Sequence, residues 1–292
     1  MAVPMTDPLR ELDNQRLEIR LLLEAIYQKS GFDFRGYAAA HIKRRLDHVR
    51  SQGGLASFCD VTHRLIWDDD FFDTVLTALS INVTEMFRDP AFYRRVREAV
   101  IPHLKTYPFI KIWHAGCAAG QEVYSMAILL EEEGMKNRAQ IYATDMNPPV
   151  LETARRGIYP LDVMRPYTAN YQKAGGKTSF SEYYTTDEGN ALMNGSLKAN
   201  VLFSPHNLVT DGIFGEMNLI FCRNVLIYFG DALQNKVIKL FLDSLCNGGF
   251  LCLGSKESLR FSDYAEAFEV VDAREKIYRK KPVRAHPERK EA

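Results

Sequence analysis

Apolar residues at Ile19, Leu22, Leu23 and Ile26 follow the i, i+3, i+4, i+7 spacing of one helical stripe, and Phe72, Val75, Leu76 and Leu79 repeat it. Between these runs Arg35–Arg50 reads as another helix. Gly53-Gly54 closes it, because glycine accepts the backbone conformation that ends a helix. No strand-like alternation interrupts the stretch, so residues 14–80 are expected to form a small all-α domain. A polar run, Asn82–Asp89, comes next. Pro90–Lys105 then reads as a helix whose first turn suits proline, which has no amide hydrogen to lose there. Residues 81–107 are taken as a linker and helix.

The texture changes after residue 107. Phe109–Trp113 is a short apolar strand, followed by a glycine-bearing turn and the helical run Glu122–Glu133. Ile141–Thr144 and Val150–Arg156 repeat that order. Val201–Phe203, Leu219–Cys222 and Phe250–Leu253 read as further strands, with a helix over Ala232–Cys246. Strands alternating with helices predict a parallel sheet with right-handed crossovers, a Rossmann-like α/β domain over residues 108–282. Pro166–Asn200, rich in Tyr, Thr, Ser, Asn and Gly, breaks the rhythm and reads as a small hairpin insertion or lid. Residues 283–292, charged and proline-containing, read as a disordered tail.

Composition narrows the function classes. A chain of 292 residues, 46% hydrophobic and 25% charged, can bury a full core without disulfides or metals. Its 37 basic and 37 acidic residues cancel, so no bulk electrostatic hold on nucleic acid or anionic lipid is expected; charge-driven recognition must come from a local patch. Cys59, Cys117, Cys222, Cys246 and Cys252 form an odd set with no C-x-x-C pair, which fits reduced thiols and a cytoplasmic location. The start of the chain lacks the apolar core of a signal peptide. The most apolar stretch, Leu219–Phe229, is short and interrupted by Arg223 and Asn224, so no membrane insertion is expected. The seven histidines show no ligand spacing, so no metal is expected.

Candidate chemistry lies at the carboxyl ends of the strands, where open α/β sheets bind ligands. The first such end is Trp113-His114-Ala115-Gly116-Cys117-Ala118-Ala119-Gly120-Gln121-Glu122. Its glycines are spaced G-x-x-x-G, not the G-x-G-x-x-G of dinucleotide sites, so a nucleoside cofactor without phosphates, such as S-adenosylmethionine, fits better; a plain strand-to-helix turn is the alternative. The second is Asp145, closing Ile141-Tyr142-Ala143-Thr144, either a partner for both ribose hydroxyls or a cap for the next helix. The third is Phe221-Cys222-Arg223-Asn224-Val225-Leu226-Ile227-Tyr228-Phe229. Here a buried strand runs straight into polar groups that need partners, so Asn224 and Tyr228 are either ligand-facing or a cap and a core tyrosine.

Together these residues resemble the CheR family of chemoreceptor glutamate O-methyltransferases, from about Gly31 to Lys280. The landmarks are Asn82-Val83-Thr84-Glu85-Met86-Phe87-Arg88, Trp113 to Ser125, Ala143-Thr144-Asp145-Met146-Asn147, His206-Asn207-Leu208, Ile220 to Phe229, and Gly254-Ser255-Lys256-Glu257. The resemblance implies a class I methyltransferase domain with a small β subdomain at about 166–200, preceded by the helical domain. It also implies that the 81–107 segment contributes to the cofactor site. S-adenosylmethionine is the implied cofactor and S-adenosylhomocysteine its product. Asn82, Thr84, Arg88, Gly116, Glu122, Asp145, Asn207, Leu208, Asn224 and Val225 are implied to line its site, with Glu122 and Asp145 meeting the amino and ribose groups. Arg88 and Tyr228 are implied to lie nearest the methyl group and the substrate carboxylate. Met86, Gln121, His114 and Asn218 depart from the family pattern and read as variation without chemical consequence.

The implied partner is the cytoplasmic helices of chemoreceptors, and a monomer is expected. The segment Arg35–Arg50 holds five basic residues against Asp47, a formal charge of +4. Its Lys43, Arg44, Arg45 and Arg50 are candidates for docking a glutamate-rich helix; a solvated basic face is the plainer alternative. Three rival readings stand beside this one. Asn147-Pro148-Pro149-Val150 resembles the N-P-P motif of nucleic-acid amino-methyltransferases but follows the second strand and ends in Val. A small-molecule carboxyl methyltransferase and a non-catalytic cofactor-binding regulator are the others. Cys222, inside an apolar strand, reads as an inert core thiol.

Overall fold

The computed structural model describes residues 8–80, 84–213 and 215–282. The described chain divides into two compact units, residues 8–80 with Tyr228–Leu233, and residues 84–227 with 234–282.

The first unit holds helices α1 (Pro8–Ser30), α2 (Ala39–Gln52), α3 (Phe58–Trp67) and α4 (Asp69–Leu79). Leu22, Leu23 and Ile26 of α1 and Phe72, Val75 and Leu79 of α4 are buried, as their spacing requires. Helix α2 begins at Ala39, not at Arg35. Asp33 accepts hydrogen bonds from the Arg35 backbone N–H at 3.0 Å and its Nε at 2.9 Å, forming a local turn. Tyr37 then pairs with Phe229, and the Ala38 N–H donates to the Tyr228 carbonyl. Helix α3 carries only Phe58, Val61 and Leu65 as buried residues, too few for an obvious stripe, but Ser57 and Asp60 form a reciprocal capping box at its start.

In the second unit the helix expected over Pro90–Lys105 is interrupted. α5 (Pro90–Arg95) and α6 (Ile101–Leu104) flank a π-helical turn at Val96–Val100. Pro102 has no N–H for the carbonyl four residues earlier and its ring crowds that carbonyl. The wider turn, with Ile101 N–H donating to Val96 O, absorbs the misfit.

The main sheet contains β1 (Ile110–Ala115), β2 (Ala139–Asp145), β6 (Val201–Pro205), β7 (Met217–Cys222), β8 (Leu245–Leu253), β9 (Phe268–Asp272) and β10 (Ile277–Lys280), in the order β6-β2-β1-β7-β8-β10-β9. Helices α7 (Gln121–Glu132), α8 (Pro148–Arg156) and α10 (Asp231–Ser244) are its principal crossovers. Strands β6 through β8 are parallel, but β10 runs antiparallel to both neighbours, so the sheet is mixed and not wholly parallel. β9 and β10 are short, and β9 exposes Val270, so neither carries the long apolar run that marks a buried strand.

Strand order reverses beside β1: the chain moves outward through β2 to β6, then returns to place β7 on the other side of β1. The ends of β1, β2 and β7 therefore open onto one crevice.

A second sheet, β3 (Ile158–Pro160), β5 (Asn190–Met193) and β4 (Tyr184–Asp187), is antiparallel with β5 in the middle. The insertion is not a plain hairpin. α9 (Met164–Lys173) occupies its first part, burying Met164, Tyr167 and Tyr171 at i, i+3 and i+7, a stripe hidden among polar residues. Buried Glu132, at the end of α7, accepts hydrogen bonds from the Tyr171 and Tyr183 hydroxyls and the Lys177 N–H and pairs with Arg97, tying the insertion to the main sheet's helices.

Candidate active site

The turn after β1 is shaped by three residues with positive φ, Gly116 (+78°), Ala118 (+48°) and Gly120 (+89°). The Gly116 and Cys117 N–H groups both donate to Thr144 O at 2.8 Å, which pins the turn to the end of β2. A Cβ on Gly116 would lie 2.7 Å from Val225 Cγ2. Only glycine lets the loop after β1 meet the loop after β7 so closely. The sequence expectation placed both residues at the cofactor, and they touch each other across the reversal in strand order.

Asp145 closes β2 with 9% exposure. Its carboxylate accepts the Ala118 N–H at 2.9 Å and the Asn147 N–H at 3.0 Å. Burial pushes this carboxyl above its usual range, with the backbone donors working the other way. The capping position of α8 falls to Asn147. Asp145 is thus left to hold the turn after β1 and can still accept from a ligand. The His206 N–H donates to Asp145 O, which brings half-buried Asn207 and buried Leu208 alongside; Asn207 Oδ1 accepts the Val209 N–H at 2.9 Å.

Glu122 sits in the first turn of α7, where an anion is favoured by the helix N-terminus. Its carboxylate is 2.9 Å from His114 Nδ1 and 3.4 Å from Arg223 Nη1. Burial opposes ionisation, but His114 and Arg223 together hold the carboxyl below its ordinary range. Arg223 has a side chain only 2% exposed. It also pairs with Asp89 at 2.7 Å, donates to Arg88 O at 3.3 Å and lies 4.0 Å over the Phe92 ring. The acidic neighbours outweigh the burial that works against its charge.

The loop after β7 is fixed by Glu257, which is 4% exposed. Its Oε1 accepts the N–H groups of Val225 and Ile227 at 2.8 and 3.3 Å, and its Oε2 those of Asn224 and Gly254 at 3.0 and 2.5 Å. Asn224 itself has φ +62°, a conformation this nest of donors sustains.

Arg88 and Thr84 are half-buried, and the Arg88 carbonyl is engaged by Arg223 as above. Asn82 lies outside the described residues. Tyr228, one residue past Ile227, belongs to the helical unit and packs its ring 4.6 Å from that of His41. The four docking candidates on α2 divide. Lys43 and Arg50 pair with Asp47 at 2.9 and 3.3 Å and lie over Phe58, whereas Arg44, Arg45 and His48 line an open groove with Asp47 and Ser51. With Arg35 outside it, α2 carries four basic residues against Asp47, a formal +3 rather than +4.

Arg223, His114 and Glu257 were not singled out as site residues by sequence. The strand running directly into Arg223 was the available signal, since a charge at a buried strand end demands partners. Glu257 entered only within a family landmark and His114 only as a departure from the family pattern, because their contacts depend on groups distant in the chain.

The residues fit an adenosine cofactor with a cationic tail. Two acids, Glu122 at the start of α7 and Asp145 at the end of β2, would repel a pyrophosphate and attract an ammonium, and the buried Gln121 Oε1 and Asn224 Oδ1 have no hydrogen-bond partner within the protein. Fold and site define a class I, Rossmann-like S-adenosylmethionine methyltransferase domain preceded by an all-α domain.

Two family models cover the chain: the CheR methyltransferase all-alpha domain over residues 17–80 and the CheR methyltransferase SAM binding domain over residues 82–277. The Pseudomonas putida protein Cher3 is 51% identical over 91% of this chain and 98% of its own. A chemotaxis protein methyltransferase of Vibrio parahaemolyticus is 30% identical over 79% of this chain and 84% of its own. One of Listeria innocua is 29% identical over 81% and 88%. The chain belongs to the CheR methyltransferase family.

Replacing Glu257 by Gln should be damaging despite its matched shape. An amide nitrogen would face one pair of N–H donors, and each buried donor left unpaired costs about 1–3 kcal/mol. Denaturant unfolding should show a loss of about 2–4 kcal/mol, accompanied by weaker S-adenosylhomocysteine binding in calorimetry.

Proposed function

We propose that this chain transfers a methyl group from S-adenosylmethionine to glutamate carboxylates on the cytoplasmic helices of chemoreceptors, forming glutamyl methyl esters in chemotaxis adaptation. The observation that carries the reading is the set of acids at the ligand end of the sheet: Glu122, at the start of α7, is bound by Arg223, which also holds the Arg88 carbonyl, and Asp145, at the end of β2, holds the turn that leads into α7. Family membership and relatives named as chemotaxis protein methyltransferases support the substrate class and a cytoplasmic setting. No described helix is long and apolar enough to cross a membrane.

In this reading Glu122 receives the cofactor's amino group, Asp145 its ribose hydroxyls, and the Gly116–Val225 contact sets the floor of the crevice. Bound there, the cofactor supplies an electrophilic methyl group on a sulfonium. A glutamate side chain, with a pKa near about 4.3, is already ionised at neutral pH, so the protein need not provide a general base. Its task is alignment and partial exclusion of water, and alignment can contribute up to about 7–11 kcal/mol. Arg88 orients the incoming carboxylate through its planar guanidinium. Tyr228, which the family resemblance implies lies near the substrate carboxylate, hydrogen-bonds near the reacting oxygen in this reading. Arg44, Arg45 and His48, lining the open side of α2, provide the basic surface for a glutamate-rich helix.

The direct test is to incubate the protein with labelled methyl donor and membranes containing chemoreceptors. Base-labile label on the receptor is expected; label absent from receptors but present on another acceptor would reassign the substrate. Arg88→Ala should lower turnover by about a hundredfold, equivalent to about 2.7 kcal/mol of transition-state stabilisation, and wild-type turnover with normal cofactor binding would remove Arg88 from its role. Arg44→Glu with Arg45→Glu should slow receptor methylation most strongly at low salt and leave S-adenosylhomocysteine affinity intact. Unchanged low-salt rates would discard the docking face.

A further inference from the structure

Arg223 lies between two carboxylates that it reaches unequally. Its Nη2 is 2.7 Å from Asp89 Oδ2, whereas its Nη1 is 3.4 Å from Glu122 Oε2 and 3.3 Å from the Arg88 carbonyl oxygen. Its Nε is buried without a hydrogen-bond partner, so those three acceptors and the rings of Phe92 and Tyr93 surround the charge. Charge-assisted bonds are strongest at about 2.7–2.9 Å, so Asp89 has the firmer hold on the guanidinium and Glu122 the looser one. The other oxygen of Glu122 is 2.9 Å from His114 Nδ1. A carboxylate offers about four acceptor positions, so Glu122 keeps capacity for a further cation.

Charge counting leads to the same place. Burial raises the Cys222 and Cys252 thiols and the Tyr93 phenol, which therefore stay uncharged at neutral pH. Arg223 then stands against Glu122 and Asp89, one positive charge against two negative. Without Asp89 the guanidinium would neutralise Glu122, and no net attraction for an ammonium would remain. We propose that Asp89 is a positioning residue that sets specificity for the cofactor's amino group: by holding Arg223 it leaves the charge of Glu122 available to that ammonium. Asp89 directly follows Arg88, so one ion pair serves both the amino-group site and the segment that presents Arg88. The inference rests on Glu122 being the ammonium site.

The test is calorimetry of the full chain at about pH 8, above the ordinary titration of imidazole. Two probes are compared: S-adenosylhomocysteine and its desamino analogue, in which hydrogen replaces the amino group. The wild-type protein should prefer S-adenosylhomocysteine. Asp89→Asn suits the position, because asparagine tolerates the φ of +57° found there and its side-chain oxygen can still accept from Arg223. This variant should bind S-adenosylhomocysteine about tenfold more weakly, the scale of one unit charge in a partly buried site, and leave the analogue's affinity unchanged. Arg223→Met combined with Asp89→Asn removes both charges of the pair and should return the preference to the wild-type level. An equal loss for both probes, the mark of a merely structural role, overturns the proposal, and so does no loss for either. A double variant whose preference stays below wild type overturns it too, and decides the question if the single variant does not fold. Glu122→Gln separates premise from inference. A preference that survives this change defeats Glu122 as the ammonium site, whereas one that it abolishes and Asp89→Asn leaves intact defeats this inference alone.

Discussion

The buried guanidinium of Arg223 is the constraint around which the ligand end of the main sheet is arranged. It cannot shed its proton, and its side chain is almost entirely removed from water, so its charge must be answered by the protein. Glu122 answers from α7, and Asp89 with the Arg88 carbonyl answers from the segment leading into α5. Removing one partner of such a group leaves an uncompensated buried charge, at a cost of about 3–5 kcal/mol. Three chain segments that are far apart in sequence are thereby held to one point.

The same logic explains the strained backbone next to it. Phe87 and Asp89 have φ of +51° and +57°, which non-glycine residues adopt only when surroundings impose it. Phe87 is held by its N–H to Ser125 Oγ at 2.8 Å and by rings of Tyr93, Tyr171 and Phe180. Asp89 is held by Arg223. Arg88, between them, is presented by a segment anchored on both sides, and part of that anchoring comes from the inserted β subdomain through Tyr171 and Phe180.

Much of the fold was legible because period and punctuation are local. The stripe through Leu22, Leu23 and Ile26, the apolar runs of β1, β2 and β7, and the glycines flanking them each declare their element within a few residues. The errors fell where the deciding contact was remote or the signal diluted. Arg35–Ala38 looked helical until Asp33 and Phe229 claimed their backbone and side chains. The stripe of α9 was hidden by the polar residues around Tyr167 and Tyr171, and β9 and β10 were too short to register. In the site, Asp145 stood out as a candidate by its position at a strand end and Glu122 by the family resemblance, whereas the part of Glu257 could not be read, because its four donors lie on two loops brought together only by β7 pairing with β8.

By itself the sequence determined the α-then-α/β organisation and the glycine-bearing turns at the strand ends. These follow from periodicity and from side-chain size and charge, which are properties of neighbouring residues. Only the tertiary structure decided that β9 and β10 close the sheet antiparallel, that Gly116 meets Val225, and that His114 and Arg223 share one carboxylate. Those outcomes depend on strand order and on which buried charges must find partners once water is excluded, and both are set by the packing of the whole domain.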